Sequence, residues 1–270
     1  MDTMVFRLFE QAAEASAPAA SEGFSLPWCL IYAWGQASGK EAGITMGFLV
    51  LGVFLCILAG YLLGSLNGAI LFTRIKYHMD IRERGVFDAD AISVYQVFGL
   101  KEALPVLSLD VLKTLAALGA GFLIYAQSGM AISAFFCLLG HAFPIYFRFK
   151  GGKGLICLFV STLLLNPWTF LILFAFFLAI LIASRYLSIA SIMYGLLYPV
   201  LLNRFTKNTF QADWFLYMAI LTALLVAFTH RNNIRNLKNN EEAKFSFRKK
   251  EQETSMPDIG LKEKPKKKGK

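Results

Sequence analysis

Charge is scarce in this chain. Only 17% of its 270 residues are Asp, Glu, Lys or Arg, while 56% are hydrophobic and 14% aromatic. A soluble domain carries about a quarter charged residues and shorter apolar runs. The composition therefore excludes a water-soluble enzyme core and points to a polytopic membrane protein. Cysteine is also rare: Cys29, Cys56, Cys137 and Cys157 stand apart, with no Cys-x-x-Cys pair. That spacing excludes a disulfide framework or zinc site and leaves buried, reduced thiols. Three histidines without a Ser-His-Asp pattern give no hydrolytic triad, and neither a metal site nor a cofactor is implied. The leading residues lack the basic start and unbroken apolar core of a signal peptide.

The charge that is present leans basic and sits at one end. Residues 231–270 hold thirteen Lys and Arg against six Asp and Glu, a net of +7 out of the chain's +9. This distribution describes an orientation signal or a patch held against anionic lipid headgroups, and gives no reason to expect nucleic acid.

Apolar runs mark the crossings. The first spans about 44–73, the second 103–125 and the third 130–147. The run over 155–183 is 29 residues, about 43 Å as one helix, which overshoots a hydrocarbon core of about 30 Å. Asn166-Pro167 divides it into a short span and a full one. Two more follow, at 188–202 and 214–229, giving an all-α bundle of seven transmembrane helices. With seven, Arg74, Lys76, Arg82, Arg84, Arg148, Lys150, Lys153, Arg185 and the basic tail fall on one side, and Arg204 and Lys207 dissent. The positive-inside rule then places the N-terminus outside and the C-terminus in the cytoplasm. Residues 1–43 read as an interfacial or loose extension, in which 24–34 lie along the membrane surface. Residues 44–245 form the seven-span domain and 246–270 a disordered basic tail.

Four polar segments then meet at the inner face. In "GHAFPIYFRFKGGKG", glycines 151, 152 and 154 let backbone amides turn inward around an anion, and Lys150 and Lys153 add point charges suited to phosphate. The helix starting near Leu155 aims its positive end at the same place. This is no nucleotide P-loop, since neither Ser nor Thr follows Lys153. Asp110 and Lys113, three apart in an apolar span, share one helix face and are either a structural ion pair or a phosphate partner. His141 and His230 stand at span ends, where hydrogen bonding at the interface and catalysis are both open. His78 has no evident partner.

These residues carry a resemblance. "GHAFPIYFRFKGGKG", "AGYLLGSLNGAILFTRI", "DIR" at 80–82, "DVLK" at 110–113, "SRYLSIAS" at 184–191 and "HRNNI" followed by Glu242 resemble, in order and spacing, the bacterial acyl-phosphate:glycerol-3-phosphate acyltransferases. The similarity covers about 55–245. It implies a seven-span inner-membrane enzyme of phospholipid biosynthesis that makes lysophosphatidic acid from acyl phosphate and glycerol 3-phosphate, among membrane lipid. It further implies catalytic roles for Lys113, His230 and Asn233. Phosphate binding falls to Arg82, Lys150, Gly151, Gly152, Lys153, Gly154 and Ser188, and support to Asp110, His141 and Glu242.

One segment departs from the resemblance. The family pattern Ser-Gly-Asn-x-Gly-Ala-Thr-Asn, with an arginine three residues on, is replaced by "VFDADAISVYQ" at 86–96. Asp88 stands for the asparagine, Asp90 for the second glycine and Gln96 for the arginine. A phosphate loop has thus gained two carboxylates and lost a cation, and Phe87 and Asp90 disfavour the positive φ that glycine permits. Three readings follow: an active acyltransferase, a relative that binds a phosphorylated ligand or a membrane partner without catalysis, or an enzyme with a switched acceptor. A transporter fits least, because the polar groups cluster on one face.

Overall fold

The computed structural model describes residues 42–84, 88–206, 214–239 and 241–242, and within them it is helical with no strand. The expectations for 1–41, 85–87 and the 246–270 tail lie outside the described residues. The helices are α1 (Ala42–Gly64), α2 (Gly68–Tyr77), α3 (Ala91–Phe98), α4 (Leu100–Ala142), α5 (Leu155–Leu165), α6 (Pro167–Ser184), α7 (Leu187–Thr206), α8 (Trp214–Thr229) and α9 (Arg231–Lys238). Short 3-10 turns occupy Ile81–Arg84 and Ile145–Phe147. Four helical stretches are long and apolar enough to cross a bilayer, five if the bent pair α8–α9 is one span. Their outer faces suit lipid, with Val50, Ile182, Val200 and Leu224 all at least 60% exposed.

The stretch α4 is not straight. Its 43 residues would extend about 65 Å, twice the thickness of a bilayer core. Tyr125 (φ −139°, ψ 39°) and Ala126 (φ 46°, ψ −138°) leave helical geometry, and the chain folds back on itself. Gly121 and Gly129 consequently touch: a Cβ on either would collide with the other's carbonyl oxygen. In an unbroken helix, eight residues would separate them by about 12 Å. The reversal falls between the second and third apolar runs of the sequence.

Asn166-Pro167 acts in the same way. The Asn166 side chain accepts from Thr169 N at 2.8 Å, and Pro167 takes the first helical position, where its missing N–H costs nothing. The Phe159 ring lies 5.0 Å from that of Phe177, although eighteen helical residues would span about 27 Å. The two helices are therefore antiparallel. Phe159, Phe177 and Tyr194 form the aromatic heart of the α5–α6–α7 side. On the other side, Gly60, Gly64 and Gly140 bring α1 and α4 so close that a Cβ would strike the opposite backbone.

The first apolar run departs from expectation. Instead of one helix over 44–73, it breaks at residues 65–67 into α1 and α2. Buried Asn67 explains the break: its Oδ1 accepts from Ile70 N at 3.1 Å and caps α2, while its Nδ2 donates to Ala89 O at 2.8 Å. The carbonyl of Leu66, freed from the helix, needs another donor. Lys113 supplies it.

Candidate functional site

Lys113 is 7% exposed, and Asp110 and His141 are each 1% exposed. The Lys113 ammonium lies 2.7 Å from Asp110 Oδ1, 2.9 Å from Leu66 O and 2.7 Å from His141 Nδ1. Leu66 O and His141 Nδ1 accept from the ammonium, and Asp110 Oδ1 balances its charge as an ion partner, so the cation is held at low exposure. Because Nδ1 accepts from Lys113, the proton of neutral His141 sits on Nε2, the atom turned towards Gly152. Lys113 thus reaches the glycine segment through His141. The hairpin in α4 is what makes this possible, since it brings the two arms side by side.

The glycine segment differs from the inward-turned loop expected of it. Gly151 N donates to Ala142 O at 3.1 Å and Gly152 N to His141 O at 3.2 Å, so both amides are already engaged. Their lack of a side chain serves close packing. A Cβ on Gly151 would overlap the His141 carbonyl oxygen, and one on Gly152 would sit 2.5 Å from Ala89 O and 2.7 Å from His141 Nε2. Of the three glycines only Gly154 has a positive φ, +72°, and it opens α5 without a side-chain cap. The first-turn amides of α5, beside Lys153, are what this segment offers an anion.

Arg82 lies beneath the segment. Its Nε and Nη2 grip Asp80 at 2.8 and 2.6 Å, and its Nη1 donates to Phe147 O at 3.0 Å and Lys150 O at 2.7 Å. Arg74 adds a bond to Asp80 at 2.9 Å. This fork draws the Asp80 carboxyl down to about 2 from an ordinary 3.8, against the opposing effect of burial. The guanidinium expected to bind phosphate is occupied in holding the loop. Lys150 is exposed, with its backbone carbonyl tied to Arg82.

The altered segment meets the glycine segment directly. Lys153 Nζ and Asp88 Oδ2 are 2.6 Å apart, and Ala89 N donates to Gly151 O at 3.3 Å. Asp90 has turned to local work: its Oδ1 accepts from Ser93 N and Ser93 Oγ, each at 2.8 Å, capping α3. Its φ of −137° is extended, so no positive φ is needed there and that expectation is corrected. Val86 and Phe87 lie outside the described residues. His230, 2% exposed, has its Nδ1 2.9 Å from Val226 O, and the charges of Lys153, Asp88 and Asp90 act on it. Burial pushes its imidazole pKa down and Lys153 does the same, while the Val226 carbonyl and the two aspartates oppose them.

A third group joins α7 to α9. Glu242 Oε1 accepts from Ser188 Oγ and from Asn233 Nδ2, the latter at 3.1 Å. Ser188, Asn233 and Glu242 are thus brought together, as are Asp110, Lys113, His141 and Gly152, and Lys153 with Asp88. No bond between described residues links the carboxylate of Glu242 to Lys113. Asn67, absent from the candidates, emerges as the residue that joins the α2 cap to Ala89. Its signal in the sequence was a buried-type apolar run interrupted by Ser-Leu-Asn-Gly. Among the described residues no group of three or more His, Cys, Asp or Glu could hold a metal.

Comparison with known proteins extends this picture. The family described as Glycerol-3-phosphate acyltransferase matches residues 54–240. The glycerol-3-phosphate acyltransferase of Thermoanaerobacter sp. (strain X514) is 34% identical over 191 residues, 71% of this chain and 94% of that protein. The one from Syntrophomonas wolfei subsp. wolfei is 36% identical over 187 residues, 69% of this chain and 93% of that protein. Among solved structures, PlsY, an integral membrane glycerol 3-phosphate acyltransferase, aligns in its glycerol 3-phosphate form with a TM-score of 0.63. The identity is 29%, over 72% of this chain and 96% of that one. The lysophosphatidic acid form gives a TM-score of 0.62 at 26% identity, over 72% and 95%. The match begins inside α1 and ends just past α9, and the chain belongs to the glycerol-3-phosphate acyltransferase family of membrane proteins.

Proposed function

We propose that this protein transfers the acyl group of an acyl phosphate to glycerol 3-phosphate at a bilayer surface. The glycerol hydroxyl attacks the carbonyl carbon of the mixed anhydride, the bond from that carbon to the bridging oxygen breaks, and phosphate leaves with that oxygen and the hydroxyl proton. The donor is already activated, so no enzyme nucleophile is required. What the protein supplies is placement and positive potential where negative charge collects. Lys153, the α5 amides and Gly154 form the phosphate-binding edge in this reading, with Lys150 at the rim. Lys113 acts through His141, with Asp110 holding its charge, and His230 supplies a second imidazole. Ser188, Asn233 and Glu242 fix α9 against α7. The observation that carries the proposal is the Lys113–His141 contact against Gly152, which joins a buried cation to the glycine segment.

The Lys153–Asp88 ion pair favours a second reading, a family member that binds a phosphorylated ligand without transferring acyl groups. Purified protein with acyl phosphate and labelled glycerol 3-phosphate distinguishes the two. Labelled lysophosphatidic acid that vanishes in Lys153→Ala supports transfer; a flat signal from folded protein removes it. The domain proposed for this activity spans 44–245, with 1–43 an extension and 246–270 a tail. Seven crossings with the N-terminus outside and the C-terminus inside a bacterial inner membrane fit the basic residues. Labelling of a single cysteine placed at Arg185 from the outer side would refute that orientation.

A further inference from the structure

Asp88 is the residue that the phosphate reading leaves unused, and its position is not accidental. Its neighbour Ala89 is clamped on both sides, donating its N–H to Gly151 O and accepting from Asn67 Nδ2. Asp90, on the other side, is fixed as the cap of α3. The backbone of Asp88 is therefore locked to the glycine segment, and its side chain reaches Lys153 at 2.6 Å. The carboxylate side chain is 38% exposed and that of Lys153 18% exposed, so a rotation into water can separate them. A carboxylate and a phosphate present the same kind of oxygen acceptors to an ammonium.

Resting on the phosphate-binding reading of Lys153, we propose that Asp88 is a specificity-determining residue. It occupies the phosphate position as an internal competitor and sets the affinity of the site for phosphorylated ligands. A ligand whose phosphate takes Lys153 must displace Asp88 and then sit beside its negative charge. Asp88→Asn, which keeps the shape and removes the charge, tightens binding of glycerol 3-phosphate and inorganic phosphate by on the order of three- to tenfold. The gain runs through Lys153 and disappears in the Lys153→Gln background.

Titration calorimetry on the full chain in detergent, with glycerol 3-phosphate and separately with inorganic phosphate, tests this in wild type, Asp88→Asn, Lys153→Gln and the double variant. Tighter binding in Asp88→Asn alone, with no difference between Lys153→Gln and the double variant, is the expected result. Unchanged or weaker binding in Asp88→Asn overturns the proposal, as does an equal gain without Lys153 or the absence of binding to either ligand in every variant. Acyl transfer is followed separately on the same samples. Loss of transfer with a retained Asp88→Asn binding gain removes the catalytic reading and leaves this one standing.

Discussion

Lys113 and His141 are 28 residues apart in the chain, yet their side-chain nitrogens are 2.7 Å apart across the α4 hairpin. Because Asp110 and Leu66 O complete the surroundings of the ammonium, stability and the proposed catalytic role rest on the same group. Lys113→Met leaves the Asp110 carboxylate buried and unpaired, a loss of about 3–5 kcal/mol. Adding Asp110→Asn removes the orphaned charge and restores part of that stability without restoring acyl transfer. Thermal unfolding in detergent and turnover, measured on both variants, check the separation.

The glycines divide into classes that alanine can tell apart. Gly152→Ala forces a methyl against Ala89 O and His141 Nε2, and Gly151→Ala against the His141 carbonyl. Both are expected to lower melting temperature and to abolish binding at Lys153. Gly119 has nothing within 4 Å of its Cβ position and lies inside a helix. Gly119→Ala should therefore stabilise, by about 0.5–1 kcal/mol. A destabilised Gly119→Ala would contradict the helix packing described for α4.

How much of this could be read in the sequence varies with the range of the interaction. The Asn166-Pro167 reversal was legible because the cap, its Thr169 partner and the proline are all local. Asp110 and Lys113 were legible as a pair because three residues on a helix fix a shared face. Asp90 could have been read as a cap from Ser93 three residues on, but its place in a motif-like stretch drew the reading to the charge it adds to the loop. The bonds made by Arg82 and the diglycine amides were not legible for a different reason. Their partners, the carbonyls of Phe147, Lys150, His141 and Ala142, are backbone atoms, which sequence patterns do not display. The break at Asn67 was hidden likewise, since Ala89 O is 22 residues away.

Asp80 gives a pH signature. Its carboxyl is depressed to about 2 in the folded chain from 3.8, so its contribution is complete above pH 4 and is lost as pH falls towards 2. That contribution amounts to about 2 kcal/mol. Asp80→Asn should be less stable than wild type at pH 7, with the gap closing on acidification. Unfolding curves from pH 7 to pH 2 read it directly, and a gap independent of pH would contradict the fork geometry.

Arg82→Lys keeps a charge near Asp80 but cannot grip it in two places while also reaching Phe147 O and Lys150 O. Ligand affinity at Lys153 should weaken severalfold and the melting temperature should fall with it, as the fork loosens. If Arg82 instead met only the ligand's phosphate, affinity would fall with the melting temperature unchanged, and calorimetry with glycerol 3-phosphate beside thermal unfolding distinguishes the outcomes.

The unequal lengths of α5 and α6 have one further effect. Eleven residues run from the Asn166 turn back to Gly154, whereas eighteen run on to Ser184. At 1.5 Å per residue, the glycine segment stops about 10 Å short of the level that α6 attains. Lys153 consequently lies below the end of α6, and in the proposed reaction an acyl donor reaches it laterally with its tail still immersed.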